Sequence, residues 1–325
     1  MCSVKYLGRK RLSKQQTATT FEESWQPTLE AYQKSSLIKL DLVMWTFNGE
    51  KTLSDVLSRI NKVIPRENVN QRFIVDDGST DNTVKIAKKF GWNVLSNEGK
   101  GISDGANTAF KHVETDYFCS FEQDVLLPPD WWTKISNLII GKKDIAAACG
   151  LCFVPKNNFC FGIEQYSFSR RNVDFHGGFG KTLGATIWDS KILMKLGGFP
   201  KLKFAGQDTL LLTMIDFYGY SWRVAYDTHC LHLHSGGLKG EFKRHFFYGE
   251  SIPQTTNRAV KLFSFYKKEK LVTFFKRFIK SPISSVRIVM KTHDPRVMIS
   301  YPVTRLGWLL GYIKGRKEVN VSYDC

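Results

Sequence analysis

The stretch QRFIVDDGSTDNTVKIAKKFG, residues 71–91, passes from a short apolar strand through an acidic glycine turn into a helix. Phe73, Ile74 and Val75 are strand formers, and Asp76-Asp77-Gly78 is turn chemistry. Ser79 or Thr80 is placed to cap the helix and Gly91 to stop it. The same unit stands upstream. IKLDLVMWTFNGE (residues 38–50) is a strand-forming run ending in a polar turn. KTLSDVLSRINKVI (51–64) then sets Leu53, Val56, Leu57, Ile60 and Val63 at helical spacing before Pro65. Downstream follow strand WNVLS (92–96), helix SDGANTAFKHV (103–113) and strand TDYFCSFEQD (115–124). Strands alternating with helices predict an α/β protein, with a mostly parallel central sheet and helices on both faces. Ligands of such sheets gather beyond the carboxyl ends of the strands, where Asp76, Asp77, Glu122 and Asp124 fall.

Around this core the chain has 325 residues, 42% hydrophobic and 24% charged, which excludes a disordered, collagenous or disulfide-stapled chain. Residues 1–37 read as a polar, basic lead-in and 38–240 as the α/β domain. Residues 241–325 read as a basic, aromatic, helical C-terminal extension. The formal charge of +17 predicts an anionic partner. Most of the excess lies late: residues 238–317 hold 18 Lys/Arg against 4 Asp/Glu, a net of +14. There, in KLFSFYKKEKLVTFFKRFIKS and YPVTRLGWLLGYIKG, cations interleave with aromatics. That pattern predicts peripheral contact with an anionic membrane surface, ahead of plain packing and of nucleic acid. The basic N-terminal stretch lacks an apolar core after it, and no window supplies a membrane span. The expectation is a cytoplasmic protein, peripheral on the cytoplasmic face of a membrane. The seven irregularly spaced cysteines read as reduced, buried thiols, the C-x-x-C of Cys149 and Cys152 included.

Neither a dinucleotide G-x-G-x-x-G nor a P-loop is present. In NEGKGISDGAN (97–107), Gly99 and Gly101 permit close backbone approach and Lys100 could reach a phosphate; the alternative is a surface turn. Of Asp76 and Asp77, one carboxylate can hold the turn while its neighbour faces the ligand crevice. Glu122 and Asp124, two apart after a strand, are hard oxygen donors suited to Mg²⁺ or Mn²⁺ against a diphosphate. Asp208 precedes an apolar helical run, where a lone acid is often an N-cap. His232 and His234 alternate and so share a face, either as metal ligands or as structural histidines.

These blocks together resemble the inverting GT-A glycosyltransferases of family 2. The resemblance spans roughly Leu40 to Leu238 and rests on TFNGEKTLSDVLSRI, VDDGSTDNTVKIA, NEGKGISDGAN, FEQD, LMKLGGFP and GQDTLLLTMIDFYGY, in that order. It implies that Thr46, Asn48 and Glu50 border the nucleotide, and that Asp77 hydrogen-bonds the base with Asp76 beside it. It implies that Glu122-Gln123-Asp124 fills the DxD position, with Asp124 binding metal and diphosphate, and that Asp208 is the general base. His234 would complete the metal contacts, with His232 as runner-up. Two residues depart from the family pattern: Glu122 in place of Asp, and Gln207 where the ED motif has an acid. The implied enzyme uses Mn²⁺ or Mg²⁺ to move a sugar, with inversion, from a nucleotide diphosphate to a hydroxyl of a lipid-linked saccharide. Transfer to a polyprenyl phosphate and a non-catalytic, basic nucleic-acid-binding module are the alternatives; no nucleic acid is expected as partner. A glycosidase would leave Asp77 and the basic excess without a role.

Overall fold

The computed structural model describes residues 38–169, 181–202, 205–234, 236–262 and 270–321; the lead-in over 1–37 lies outside them. The elements run β1 (Leu40–Thr46), α1 (Glu50–Val63), β2 (Val69–Asp76), α2 (Thr83–Lys89), β3 (Asn93–Ser96), α3 (Gly101–Lys111) and β4 (Tyr117–Glu122). Then come β5 (Val125–Leu126), α4 (Trp131–Ile139), β6 (Ile145–Phe153), α5 (Phe161–Ser169), β7 (Thr186–Asp189), α6 (Ser190–Lys195), α7 (Gln207–Phe217) and β8 (Ser221–His232). Four helices close the chain: α8 (Gly237–Leu262), α9 (Leu271–Ile279), α10 (Ser281–Thr292) and α11 (Val297–Val321).

The strands form one sheet in the order β3-β2-β1-β4-β7-β6-β8-β5. β3, β2, β1 and β4 are parallel neighbours, as are β6 and β8; β7 runs antiparallel to β4 and β6, and β5 to β8. The sheet is therefore mixed, with a parallel half built from the repeated strand–helix units. Helices cover both faces. Alternation within β1 sends Leu40, Leu42 and Met44 to one core with Leu53, Leu57, Ile60, Trp131 and Ile135. Val43 and Trp45 go to the other, with Ala106, Ala109, Leu193, Leu211 and Ile215. All seven residues of β1 are buried, which is why that strand reads as a nearly continuous apolar run.

The turn after β2 differs from the expectation. The helix begins at Thr83 behind Asn82, and neither Ser79 nor Thr80 caps it. The Ser79 hydroxyl donates to Asp76 at 2.6 Å and accepts the Asn48 N–H at 2.8 Å, while the Thr80 N–H donates to Asn48 Oδ1 at 2.9 Å. Both residues are committed to joining the loops that follow β1 and β2.

The C-terminal segment is helical, and it shares its body with the domain. α8 starts at Gly237, so an element boundary at 240/241 does not exist. α8 and α11 pack along their length, and glycines set the approach. A Cβ at Gly307 would meet the Phe242 carbonyl oxygen at 2.8 Å; at Gly311 it would run into that of Phe246. Gly315 meets Glu250 in the same way, so three glycines four apart let the two backbones touch. Phe274 of α9 stacks on Tyr312, with ring centroids 4.3 Å apart, and on Trp308 at 6.4 Å. Among the described residues no helix is long and apolar enough to cross a membrane. Gly311→Leu should lower unfolding stability by about 1–3 kcal/mol through overpacking, whereas Leu310→Ala, at a residue 40% exposed, should change it little. Urea denaturation of both variants checks this.

Candidate functional site

A cavity of about 1310 Å³ opens at the carboxyl ends of β1, β2 and β4 and is walled on its far side by α8 and α11. Of the residues singled out in the sequence, Thr46, Asp77, Glu122, Asp124, Asp208 and His232 line it. Asn48, Glu50, Asp76, Lys100 and His234 do not.

The two aspartates after β2 divide their work. Asp76, buried, accepts the Gly78 and Ser79 N–H groups at 3.1 and 2.8 Å, the Ser79 hydroxyl and the Thr46 hydroxyl at 3.2 Å. It holds the turn. Asp77 faces the cavity, accepting from Asn97 Nδ2 at 2.8 Å and from the Gly101 N–H at 2.9 Å. The side chains of Asn48 and Glu50 are turned to the neighbouring loop instead. Glu50 Oε2 accepts the Asn82 N–H and Nδ2–H at 3.1 and 3.0 Å. Lys100 is exposed at the head of α3, its N–H donating to Asp104 at 3.0 Å.

Across from them sits an acidic cluster. Glu122 ends β4, and Asp124 stands one residue before β5, which pairs with the end of β8. The Leu233 N–H donates to the Asp124 carbonyl at 2.7 Å, and Val125 lies opposite His232. That pairing carries His232 Nε2 to 3.3 Å from Asp124 and 3.8 Å from Glu122. Donor atoms of all three lie within 4.8 Å of one another. Burial pushes the Glu122 carboxyl up to about 7, with Asp124 and Asp208 adding repulsion and His232 opposing it. Burial would raise Asp124 too, but the His232 hydrogen bond and charge outweigh it and hold Asp124 low. Burial acts to lower His232, and its two carboxylate neighbours raise it above the usual imidazole range. Two carboxylates and one imidazole, gathered on one wall, fit a divalent ion such as Mn²⁺.

His234, the favoured ligand by resemblance, stands beside this cluster, its ring centroid 4.1 Å from that of His232, and its own ring nitrogen is turned to another partner. β8 ends at His232, where the His234 N–H folds back to the His232 carbonyl at 2.9 Å. Its Nδ1 lies 3.4 Å from buried Glu241, and burial lowers the imidazole to about 4. A second trio, Cys160, Glu241 and His245, also has donor atoms within 4.8 Å. Arg244 already sits 2.8 Å from Glu241, and Asn158 Nδ2 donates to it at 2.9 Å. Glu241 is thus already paired with a cation and a donor.

Asp208 stands in the first turn of α7, behind Gly206, and so is not its N-cap. Its Oδ1 accepts the Thr209 N–H at 2.7 Å, and burial raises its carboxyl above the usual range. Gln207 is buried and donates to the Ser103 hydroxyl at 2.9 Å, fastening α7 to α3. An amide serves that bond, which gives the Gln at this position a physical reason. Gln123 likewise holds the structure together, its amide accepting the Phe47 N–H at 2.9 Å and donating to the Phe47 carbonyl at 3.1 Å. Gly184 lets Glu122 lie close, since a Cβ there would meet the carboxylate carbon at 2.8 Å.

The cavity also takes residues that sequence reasoning passed over: Arg244, Phe247, Tyr248, Ser251, Thr255 and Trp308. Only the glycine spacing at 307, 311 and 315 could have signalled that α11 approaches α8 so closely.

The family model for glycosyl transferase family 2 matches residues 41–197. No curated protein matches the chain in sequence. Among solved structures, the chain is similar to the mannosyltransferase PcManGT from Pyrobaculum calidifontis, in complex with GDP-Man and Mn²⁺. The two are 17% identical with a TM-score of 0.57, over 83% of this chain and 73% of that one. It is also similar to glucosyl-3-phosphoglycerate synthase from Mycobacterium tuberculosis, bound to phosphoglyceric acid. That pair is 15% identical with a TM-score of 0.51, over 70% and 81% of the two chains.

At low pH the Glu122 proton competes with an ion, and above its value of about 7 it no longer does. Mn²⁺ affinity, measured calorimetrically with a nucleoside diphosphate present, should therefore rise roughly tenfold from about pH 6 to pH 8. Asp124→Ala and His232→Ala should weaken it strongly, and Asp124→Ala more than Glu122→Ala. His234→Ala should leave it nearly unchanged; the reverse ranking of the histidines would overturn the assignment.

Proposed function

Residues 41–197 belong to glycosyl transferase family 2, the chain is a glycosyltransferase of GT-A fold, and from that premise we propose a metal-dependent, inverting transfer to an acceptor hydroxyl. The donor is a nucleotide diphosphate sugar, and the favoured acceptor is a lipid-linked saccharide. One observation carries the reading. A hydrogen-bonded Asp77, a Glu122–Asp124–His232 cluster and a half-buried Asp208 all face one cavity.

Asp77 and Asn97 border the donor side, where a nucleobase offers hydrogen-bonding edges. Glu122, Asp124 and His232 would hold the divalent ion, which would supply positive charge against the departing diphosphate. Asp208 takes the proton of the attacking hydroxyl. A carboxylate in water is a weak base, and burial raises that of Asp208 toward the range in which proton transfer is efficient. Attack from the face opposite the leaving group inverts the anomeric centre.

The far wall suits a sugar acceptor. Phe247, Tyr248 and Trp308 supply aromatic faces, and Ser251, Thr255 and Thr256 supply hydroxyls. A lipid-linked acceptor brings the enzyme to an anionic membrane surface on the cytoplasmic side, which the +14 of residues 238–317 favours. An acceptor already ionised, such as a polyprenyl phosphate, would need no base.

Asp208→Asn therefore separates the two acceptors. The side chain does not cap α7, so the melting temperature should hold, and donor affinity should hold too. Turnover should fall by roughly 10²- to 10⁴-fold, in kcat and kcat/KM alike, if the proton moves in the transition state. A folded variant with near-normal turnover would remove the base and favour the phosphate acceptor.

A further inference from the structure

α9 and α10 carry the same surface twice. Val272, Phe275, Lys276, Ile279 and Lys280 recur eleven residues on as Ile283, Val286, Arg287, Met290 and Lys291. Eleven residues are three turns of about 3.67 residues, and the two sets sit at matching positions on two successive helices joined at Lys280. Lys280, shared by the end of one helix and the start of the next, keeps a helical backbone with φ −81° and ψ −3°. The exposures agree with the repeat. Val272, Phe275, Ile279, Ile283, Val286 and Met290 are 50, 54, 58, 74, 47 and 72% exposed. Phe274, Ser281, Ser285 and Ile288 of the same helices are buried against the protein.

Isolated exposed apolar side chains are ordinary, but six in register with a flank of cations are a surface with a purpose. From Leu271 to His293 there are five Lys/Arg and no Asp or Glu. We propose that the outward face of α9 and α10 docks on an anionic lipid bilayer, the apolar rows entering the headgroup boundary and the cations meeting lipid phosphates. A second copy of the chain is a poorer occupant, because two such faces would set like charges against each other. A nucleic acid would leave the apolar rows without partners.

The face is joined to the cavity by one residue step. Phe275 points out, while Phe274 stacks inward on Trp308, which lines the cavity. Docking would thus hold the acceptor wall beside the surface that carries a lipid-linked substrate. This purpose rests on the acceptor reading above; the docking itself does not.

The test is flotation of the full chain with vesicles of phosphatidylcholine, alone or with about a third phosphatidylglycerol, at low and high NaCl. The wild type should float with the anionic vesicles, roughly tenfold or more better than with neutral ones, and less as salt rises. Phe275→Ser/Ile283→Ser should lower the partition coefficient on the order of tenfold, and Lys276→Gln/Lys280→Gln/Arg287→Gln should erase the preference for anionic lipid. Both variants should keep the wild-type melting temperature and nucleotide affinity, since every altered side chain is exposed. Vesicle binding that ignores lipid charge, or that survives both variants, overturns the proposal. So does a dimer in sizing chromatography that Phe275→Ser/Ile283→Ser dissociates, which would make the face a contact between copies. Release of nucleotide diphosphate from the donor, assayed without vesicles, is read separately. Docking without turnover would fail the enzyme reading alone, and turnover without docking would fail this one alone.

Discussion

Glu122 and Asp124 stand close enough to repel, and the site depends on what offsets that repulsion. In the protein alone His232 does so, drawing Asp124 low and leaving Glu122 with an affinity for a proton near neutrality. The arrangement favours any added positive charge on that wall. It also explains the short strand β5. Two residues of pairing with β8 add few hydrogen bonds, yet they bring together side chains 108 positions apart in the chain, Asp124 and His232. Gly184 and Gln123 serve the same end, one by leaving room for Glu122, the other by locking the backbone of Phe47.

The parallel half of the sheet was legible because β1 and β4 are buried along most of their length and the helices between its strands carry clean apolar spacing. Strand, turn and helix alternate there without interruption. The antiparallel strand β7 and the short β5 were not, since two to four residues leave no period to read. The strand-end carboxylates were found by rule of place, and the division between Asp76 and Asp77 follows from their opposite directions at the strand end. The histidines show the limit of that logic. The two rings do lie side by side, 4.1 Å apart, but β8 ends at His232 and the His234 Nδ1 is turned to Glu241, which no alternation foretells. Ser79 and Thr80 show another limit: each has the chemistry of a helix cap, but the loop after β1 engages both first. A sequence does not display such competition between loops.

The C-terminal helices change what a domain boundary means here. A composition shift near residue 238 marks the start of a basic, aromatic segment, and the segment is helical. Composition does not say that α8 supplies a wall of the cavity, or that it carries Glu241 and Arg244 into the neighbourhood of His234. Burying Glu241 is costly unless cations or donors surround it. Arg244, Asn158 and His234 do surround it, and the carboxylate is held well below its usual range. This network fixes the first turns of α8 against the end of β8, and so fixes the far wall of the cavity relative to the acidic cluster.

From that anchor the order of contacts runs outward without a gap. The early turns of α8 are tied to the sheet by Glu241, and α11 is held against α8 by the glycines at 307, 311 and 315. Trp308, between the first two of those glycines, faces the cavity on one side and Phe274 on the other. Cations and exposed apolar rows on α9 and α10 therefore stand one ring contact, that of Phe274 with Trp308, from the cavity. The glycines are what make this path short: a Cβ at 311 would run into the Phe246 carbonyl, so the approach of α11 to α8 that sets Trp308 against the cavity requires the smallest residue there.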